Sequence, residues 1–170
     1  MTTDDVDRHE PSSDQTAGET PGQRAELETP ASHPARVLIV AHRTAPTPRL
    51  LAAVTDRARR GPCVFTLLVP RPYWDPDTEE AAAALELAAP LLEQAAGSQV
   101  EGIIGNSDPL VAVRDVLERA EFDEVIISTL PVHVSRWLRL DLPHRVEQLG
   151  LPVTVVTAEQ SQRARSGKIG

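Results

Sequence analysis

Short apolar runs alternate along this chain with stretches in which apolar residues recur at helical spacing. The runs are continuously apolar, a pattern typical of strands that are covered on both faces of a sheet. Five strands are predicted, over residues 36–42, 63–69, 100–105, 123–130 and 152–156. Helices are predicted between them, over residues 49–60, 77–96, 109–120 and 140–149. Strict alternation of this kind predicts an α/β fold, with a parallel sheet, right-handed crossovers and helices on both faces.

The ends of these elements carry ordinary start and stop signals. Gly61 and Pro62 follow the first helix and end it. Asp108 offers a side-chain cap for the third helix, and Pro109 suits the first helical position. The signals predict one α/β domain over residues 35–158.

The two ends of the chain have a different composition from the domain. Residues 1–34 are rich in Asp, Glu, Ser, Thr, Pro and Gly and contain hardly an apolar residue. Such a segment buries too little surface to offset its chain entropy, so it is predicted to be a disordered acidic arm. Residues 159–170 are predicted to be a flexible tail on the same grounds.

The net charge of −8 is unevenly distributed and excludes some partners. Residues 1–34 carry eight acidic and two basic residues, a net −6, while residues 159–170 carry +2, which leaves −4 for residues 35–158. A mildly acidic body does not favour nucleic-acid binding, which needs a contiguous basic face.

No apolar run approaches the roughly 20 residues that span a bilayer. Cys63 is the single cysteine, so no internal disulfide is possible and a cytoplasmic location is predicted.

Polar and cationic residues follow the first and the fourth predicted strand. Ligands of α/β sheets bind outside the carboxyl ends of parallel strands, where the strand order reverses. Arginine forks and hydroxyls near a helix N-terminus suit an anion, so a small anionic ligand is predicted. The alternative is that the arginines form a solvated helix face. The candidate ligand-binding residues that share this placement are His42, Arg43, Thr44, Ser128, Thr129, Arg136 and Arg139.

Several of these segments resemble the universal stress protein family. The resemblance is carried by the opening strand 37–40, the Gly105-x-x-Asp108-Pro109 turn, the strand 123–129 and the closing helix and strand 145–156. It covers residues 36–158 and implies a doubly wound, adenine nucleotide alpha hydrolase-like fold with strand order 3-2-1-4-5. The switch point would then lie between strands 1 and 4, and the resemblance adds Gly105 to the candidate ligand-binding residues.

The chain departs from the nucleotide-binding motif of that family. Binding members carry Gly-x2-Gly-x9-Gly-Ser/Thr after the fourth strand, and these positions fall here on Ser128, Pro131, Asp141 and Leu142. The acidic residue that ends strand 1 in the family falls near His42. Glycine lets a backbone approach phosphate closely, whereas proline has a fixed φ and no N–H to donate. No cofactor is therefore predicted, and ATP stays open as a ligand of a divergent site.

The resemblance also implies a homodimer. In the implied order the last strand lies at the sheet edge, where Val153, Val155 and Val156 would form the interface. An apolar edge invites pairing, and a two-fold dimer is the commonest closed assembly. Protection of the edge by the charged tail is the alternative.

No catalytic or metal site is predicted. Ser128, His133 and Asp141 supply the residue types of a nucleophile triad, but no glycines of a nucleophile elbow flank the serine. The five histidines lack the paired spacing of metal ligands. The sequence predicts a non-enzymatic regulatory or stress-response module with a divergent ligand site.

Two other functions stay open at this point. One is an α/β enzyme that acts on a nucleotide or a phosphorylated metabolite, with His42 or His133 as acid or base. The other is a ligand-free dimeric interaction scaffold, in which Trp137 and Pro131 fill the groove.

Overall fold

A computed structural model describes residues 33–74, 78–131 and 135–158, without the side chain of Arg139. The strands are β1 (Ala35–Val40), β2 (Cys63–Pro70), β3 (Val100–Gly105), β4 (Glu124–Thr129) and β5 (Val153–Thr157). The helices are α1 (Pro48–Arg59), α2 (Glu79–Ala96), α3 (Pro109–Leu117), α4 (Arg136–Arg139) and α5 (Leu142–Glu147). The predicted acidic arm and tail lie almost wholly outside the described residues and stay predictions.

The five strands form one parallel sheet in the order β3-β2-β1-β4-β5. This confirms the order implied by the family resemblance. β1 pairs with β2 on one side, where Val37 faces Phe65, and with β4 on the other, where Val37 faces Glu124. Because β2 and β4 lie on opposite sides of β1, the order of the strands reverses between β1 and β4, and this is the switch point.

Helices cover both faces of the sheet, as predicted. Successive side chains of β1 point to opposite faces. Val37 and Ile39 therefore belong to the apolar cluster that includes α1 and α2, while Leu38 and Val40 belong to the cluster that includes α3 and α5. All four side chains are buried, which explains why the strand is continuously apolar in sequence.

The helix predicted over residues 140–149 is present as α5, and the one-turn helix α4, which was not predicted, precedes it. Asp141 lies between them with φ of 55°, a left-handed conformation that interrupts a right-handed helix. Pro143 in the first turn of α5 also lacks the N–H that would continue the hydrogen bonding from α4.

The predicted cap of α3 can be compared directly with the structure. Asp108 caps α3 as predicted, because its side chain accepts hydrogen bonds from Leu110 N at 2.9 Å and Val111 N at 3.2 Å. None of the helices in the described residues is long and apolar enough to cross a membrane.

Candidate functional site

A cavity of about 240 Å³ opens at the carboxyl ends of the strands, beside the switch point between β1 and β4. Its residues come from the loops after β1, β2 and β3, from the end of β4 and from α4. They are His42, Arg43, Thr44, Pro70, Arg71, Pro72, Tyr73, Trp74, Ser107, Ser128, Thr129, Leu130, Ser135, Arg136, Trp137 and Leu140. This is the position at which ligands bind to open α/β sheets.

Thr44 and Ser128 hold the loop after β1 against the end of β4. The Thr44 hydroxyl donates to the Ser128 carbonyl at 2.8 Å, and the Ser128 hydroxyl donates to the Thr44 carbonyl at 3.5 Å. Both residues are buried. The Thr129 hydroxyl likewise donates to the carbonyl of Leu130. Because a hydroxyl has one proton to donate, the Thr44 and Thr129 side chains offer a ligand acceptor oxygens rather than donors, whereas the longer contact of Ser128 leaves its hydroxyl proton able to turn toward a ligand.

Ser135 has a different role at the opposite wall. Its hydroxyl oxygen accepts a hydrogen bond from Leu138 N at 3.2 Å and caps α4. This cap fixes the start of the short helix that carries Arg136 and Trp137 into the cavity lining. Trp137 also packs partly against the apolar cluster of α3 and α5. It forms a wall of the cavity, and open volume remains beside it.

Glu80, in the first turn of α2, connects three residues at the cavity rim. One carboxylate oxygen accepts two hydrogen bonds from Arg43, from Nε at 3.3 Å and from Nη2 at 3.0 Å. The other accepts the indole N–H of Trp74 at 3.1 Å. Nε2 of His42 lies 3.9 Å from the first oxygen. The hydrogen bonds from Arg43 and then Trp74 lower the pKa of Glu80 below its ordinary value, so the side chain is ionised at neutral pH.

Aromatic rings form the outer wall. Tyr73 and Trp74 meet edge to face, with ring centroids 4.7 Å apart. The guanidinium of Arg136 lies 5.7 Å from the centroid of Tyr73, within the range of a cation–π interaction. The Tyr73 and Trp74 residues are 72% and 56% exposed. Large exposed rings beside arginines provide stacking surfaces in the cavity lining.

The structure brings six of the eight predicted ligand-binding residues together. Those that line the cavity are His42, Arg43, Thr44, Ser128, Thr129 and Arg136. Gly105 is not among the lining residues. A Cβ at this position would lie 2.7 Å from Cβ of Ala112, so the absent side chain serves the packing of β3 against α3. The side chain of Arg139, and the whole of His133, lie outside the described part of the structure.

Other residues of the cavity were not predicted. Arg71 and Ser107 line it from the loops after β2 and β3. Their position at the carboxyl ends of strands was a signal that could have identified them. Glu80 gave no such signal, because it lies 37 positions after Arg43 and belongs to a helix. Within the described residues, no group of three or more histidine, cysteine or acidic side chains could hold a metal ion.

No protein-family model matches the sequence, and no curated protein matches it. Solved structures do match. A universal stress protein from Archaeoglobus fulgidus in complex with dAMP is 16% identical, with a TM-score of 0.54 over 73% of this chain and 98% of the other. A second structure of universal stress protein from the same organism is 14% identical, with a TM-score of 0.54 over 72% and 93%. A universal stress protein in complex with cAMP is 16% identical, with a TM-score of 0.52 over 75% and 100%. At this level of identity the likeness concerns the fold, and the chain has the fold of the universal stress proteins.

Proposed function

We propose that this chain is a divergent universal stress protein, a non-enzymatic regulatory module that binds a small anionic ligand at the switch point. The observation that carries the proposal is the cavity itself, where Arg43, Arg71 and Arg136 converge beside His42. Arginines from two loops and from the start of α4 at one ligand position favour an anion. The nucleotides named for the similar structures, dAMP and cAMP, make adenine nucleotides the first ligands to test.

The surroundings of the polar groups support binding rather than catalysis. The hydroxyls of Thr44, Ser128 and Thr129 donate to backbone carbonyls, so none is poised as an activated nucleophile. The carboxylate of Glu80 has a lowered pKa, whereas a general acid at neutral pH needs a raised one. A regulatory module would respond through occupancy of the cavity, in the cytoplasm, without turning its ligand over.

The proposal includes a homodimer through β5. Val153 and Val156 are half-buried against the apolar clusters on the two faces of the sheet, and Val155 is 43% exposed at the edge. An edge strand with an exposed apolar side chain can pair with its copy across a two-fold axis. Sedimentation equilibrium of the full chain measures this directly, and a monomer at micromolar concentration would contradict it.

The test of ligand binding is native mass spectrometry of freshly purified protein, followed by titration with AMP, cyclic AMP and ATP. At least one nucleotide is expected to bind stoichiometrically. The Arg136→Ala variant should lose about tenfold or more in affinity, because a hydrogen bond to a charged group contributes roughly 1.5–3 kcal/mol.

Arg145→Ala is the matched control for that experiment. Arg145 is an exposed arginine of α5 that is absent from the described cavity lining. The control should bind like the wild type. Equal losses in the two variants would show a general charge effect, and no binding by the wild type would overturn the proposal.

A further inference from the structure

The carboxylate of Glu80 pairs with the guanidinium of Arg43, one of the cationic groups that line the cavity. The described lining residues include no carboxylate, but Glu80 accepts hydrogen bonds from two of them, Arg43 and Trp74. Its two hydrogen bonds from Arg43 use donors that an anionic ligand would otherwise receive. A ligand anion that approaches Arg43 therefore competes with a carboxylate that is already bound there.

The pair between Arg43 and Glu80 is accessible to such competition. The two side chains are 66% and 36% exposed. A partly exposed ion pair stabilises a fold only weakly, so a ligand can displace it. The negative charge of Glu80 remains nearby after displacement, however, and it repels each further charge on the ligand.

Two of the hydroxyls among the described lining residues add no donor for a polyanion. The hydroxyl protons of Thr44 and Thr129 are directed to backbone carbonyls. A terminal phosphate presents three acceptor oxygens and needs several donors at once. Aromatic area is more abundant, because Tyr73, Trp74 and Trp137 all line the cavity.

We infer that the cavity selects aromatic ligands of low negative charge, and that Glu80 sets this selectivity by acting as an internal competitor at Arg43. The inference rests on the proposed ligand-binding function and specifies its ligand class. The ring stacks on the aromatic wall, and one anionic group engages the arginines. Each added charge on the ligand lowers the affinity, since it meets Glu80 rather than a new donor.

A charge series on one aromatic scaffold tests the inference. The ligands are adenosine, which is neutral, cyclic AMP, a monoanion, AMP, a dianion, and ATP, a polyanion. Isothermal titration calorimetry on the full chain compares the wild type with Glu80→Gln, which removes the charge and keeps one oxygen that can accept from Arg43 or from Trp74. Cyclic AMP is expected to bind the wild type more tightly than AMP or ATP. The substitution should raise affinity by about two- to fivefold for each additional ligand charge, and leave adenosine unchanged.

Glu79→Gln is the matched control. Glu79 is the preceding residue of the same helix, is exposed and is absent from the described cavity lining. It removes the same charge at a greater distance from Arg43, where solvent and salt screen it. The control should therefore shift the AMP and ATP affinities by less than Glu80→Gln does.

The outcomes separate the inference from the proposed function. If Glu80→Gln changes the affinity of all four ligands equally, Glu80 has a merely structural role and the inference is wrong, while the binding function stands. If neither the wild type nor the variant binds any ligand, both are wrong. Should Glu80→Gln not fold, Glu80→Ala replaces it, with a larger gain in affinity expected for ATP than for adenosine; equal changes would again overturn the inference.

Discussion

Replacing Gly105 by alanine tests how closely β3 packs against α3. An added Cβ would lie 2.7 Å from Cβ of Ala112 and 2.7 Å from Cδ1 of Leu68, where optimal carbon contacts are about 3.5–4.0 Å. The leucine methyl is the end of a flexible side chain and can rotate away. The Ala112 methyl is attached directly to the backbone of α3, so the helix itself has to move.

The expected cost of Gly105→Ala is about 1–3 kcal/mol in the free energy of unfolding, the usual range for overpacking by small groups. Gly102→Ala on the same strand is the matched control. The three atoms nearest to its Cβ would be Cδ1, Cδ2 and Cγ of Leu85, at 2.6, 2.7 and 2.9 Å, and all three belong to a flexible side chain that can turn away, so the cost should be smaller. Both substitutions remove a glycine from β3, and their difference compares a contact with the backbone-attached methyl of Ala112 to a contact with a flexible side chain.

Urea unfolding followed by circular dichroism gives these free energies, with an unchanged m-value as the sign of an unchanged unfolding transition. The second substitution Ala112→Gly removes the clashing methyl group. In the double variant with Gly105→Ala, a favourable coupling of about 0.5–3 kcal/mol is expected for residues in contact. Equal stability of the two alanine variants, or additive effects in the double variant, would refute the packing argument.

Two further predictions concern a helix cap and a carboxylate. Asp108→Ala should lower the free energy of unfolding by about 1 kcal/mol, because Leu110 N and Val111 N lose their side-chain acceptor. Asp108→Asn should lower it by less, because asparagine is also a good N-cap residue. Urea unfolding measures both free energies. The lowered pKa of Glu80 means that ionised Glu80 stabilises the folded state at pH values above its ordinary pKa of 4.5. This stabilisation is lost as the pH falls through the lowered pKa. The stability advantage of the wild type over Glu80→Gln should therefore shrink between pH 6 and pH 3. Unfolding midpoints across that pH range check it, and a constant difference would contradict it.

The strands were predictable because strands that are buried on both faces consist almost entirely of apolar residues. β1, β2 and β4 each contain runs of side chains that are almost fully buried, since helices cover both faces of the sheet. β5 is shorter and more exposed, and its boundary signal was the proline before it. The cap at Asp108 was equally readable, because an N-cap acts within three residues.

The break between α4 and α5 was not predictable by the same means. The segment has helical spacing, but Asp141 adopts a left-handed conformation, which aspartate visits more readily than most non-glycine residues and which the local pattern does not assign to this position. The ungapped motif placement puts this residue at a position where nucleotide-binding universal stress proteins have glycine. The backbone conformation that favours glycine thus occurs here without glycine, a fact that only coordinates can provide.

Some features of the cavity were likewise predictable from the sequence, whereas others required the structure. Sequence indicated His42, Arg43, Thr44, Ser128 and Thr129, because residues after parallel strands meet at one edge of the sheet. It did not indicate that the three hydroxyls donate to backbone carbonyls, which depends on how the loop after β1 rests on β4.

What the sequence determined by itself was the fold class, the location of the strands and the edge of the sheet at which a ligand would bind. These follow from local patterns, since burial and capping act over a few neighbouring residues. Only the tertiary structure placed Glu80 against Arg43 and Trp74, and removed Gly105 from the cavity lining. Both depend on contacts between segments that are distant in sequence. A hydrogen bond between residues 37 positions apart produces no periodic pattern in the amino-acid sequence.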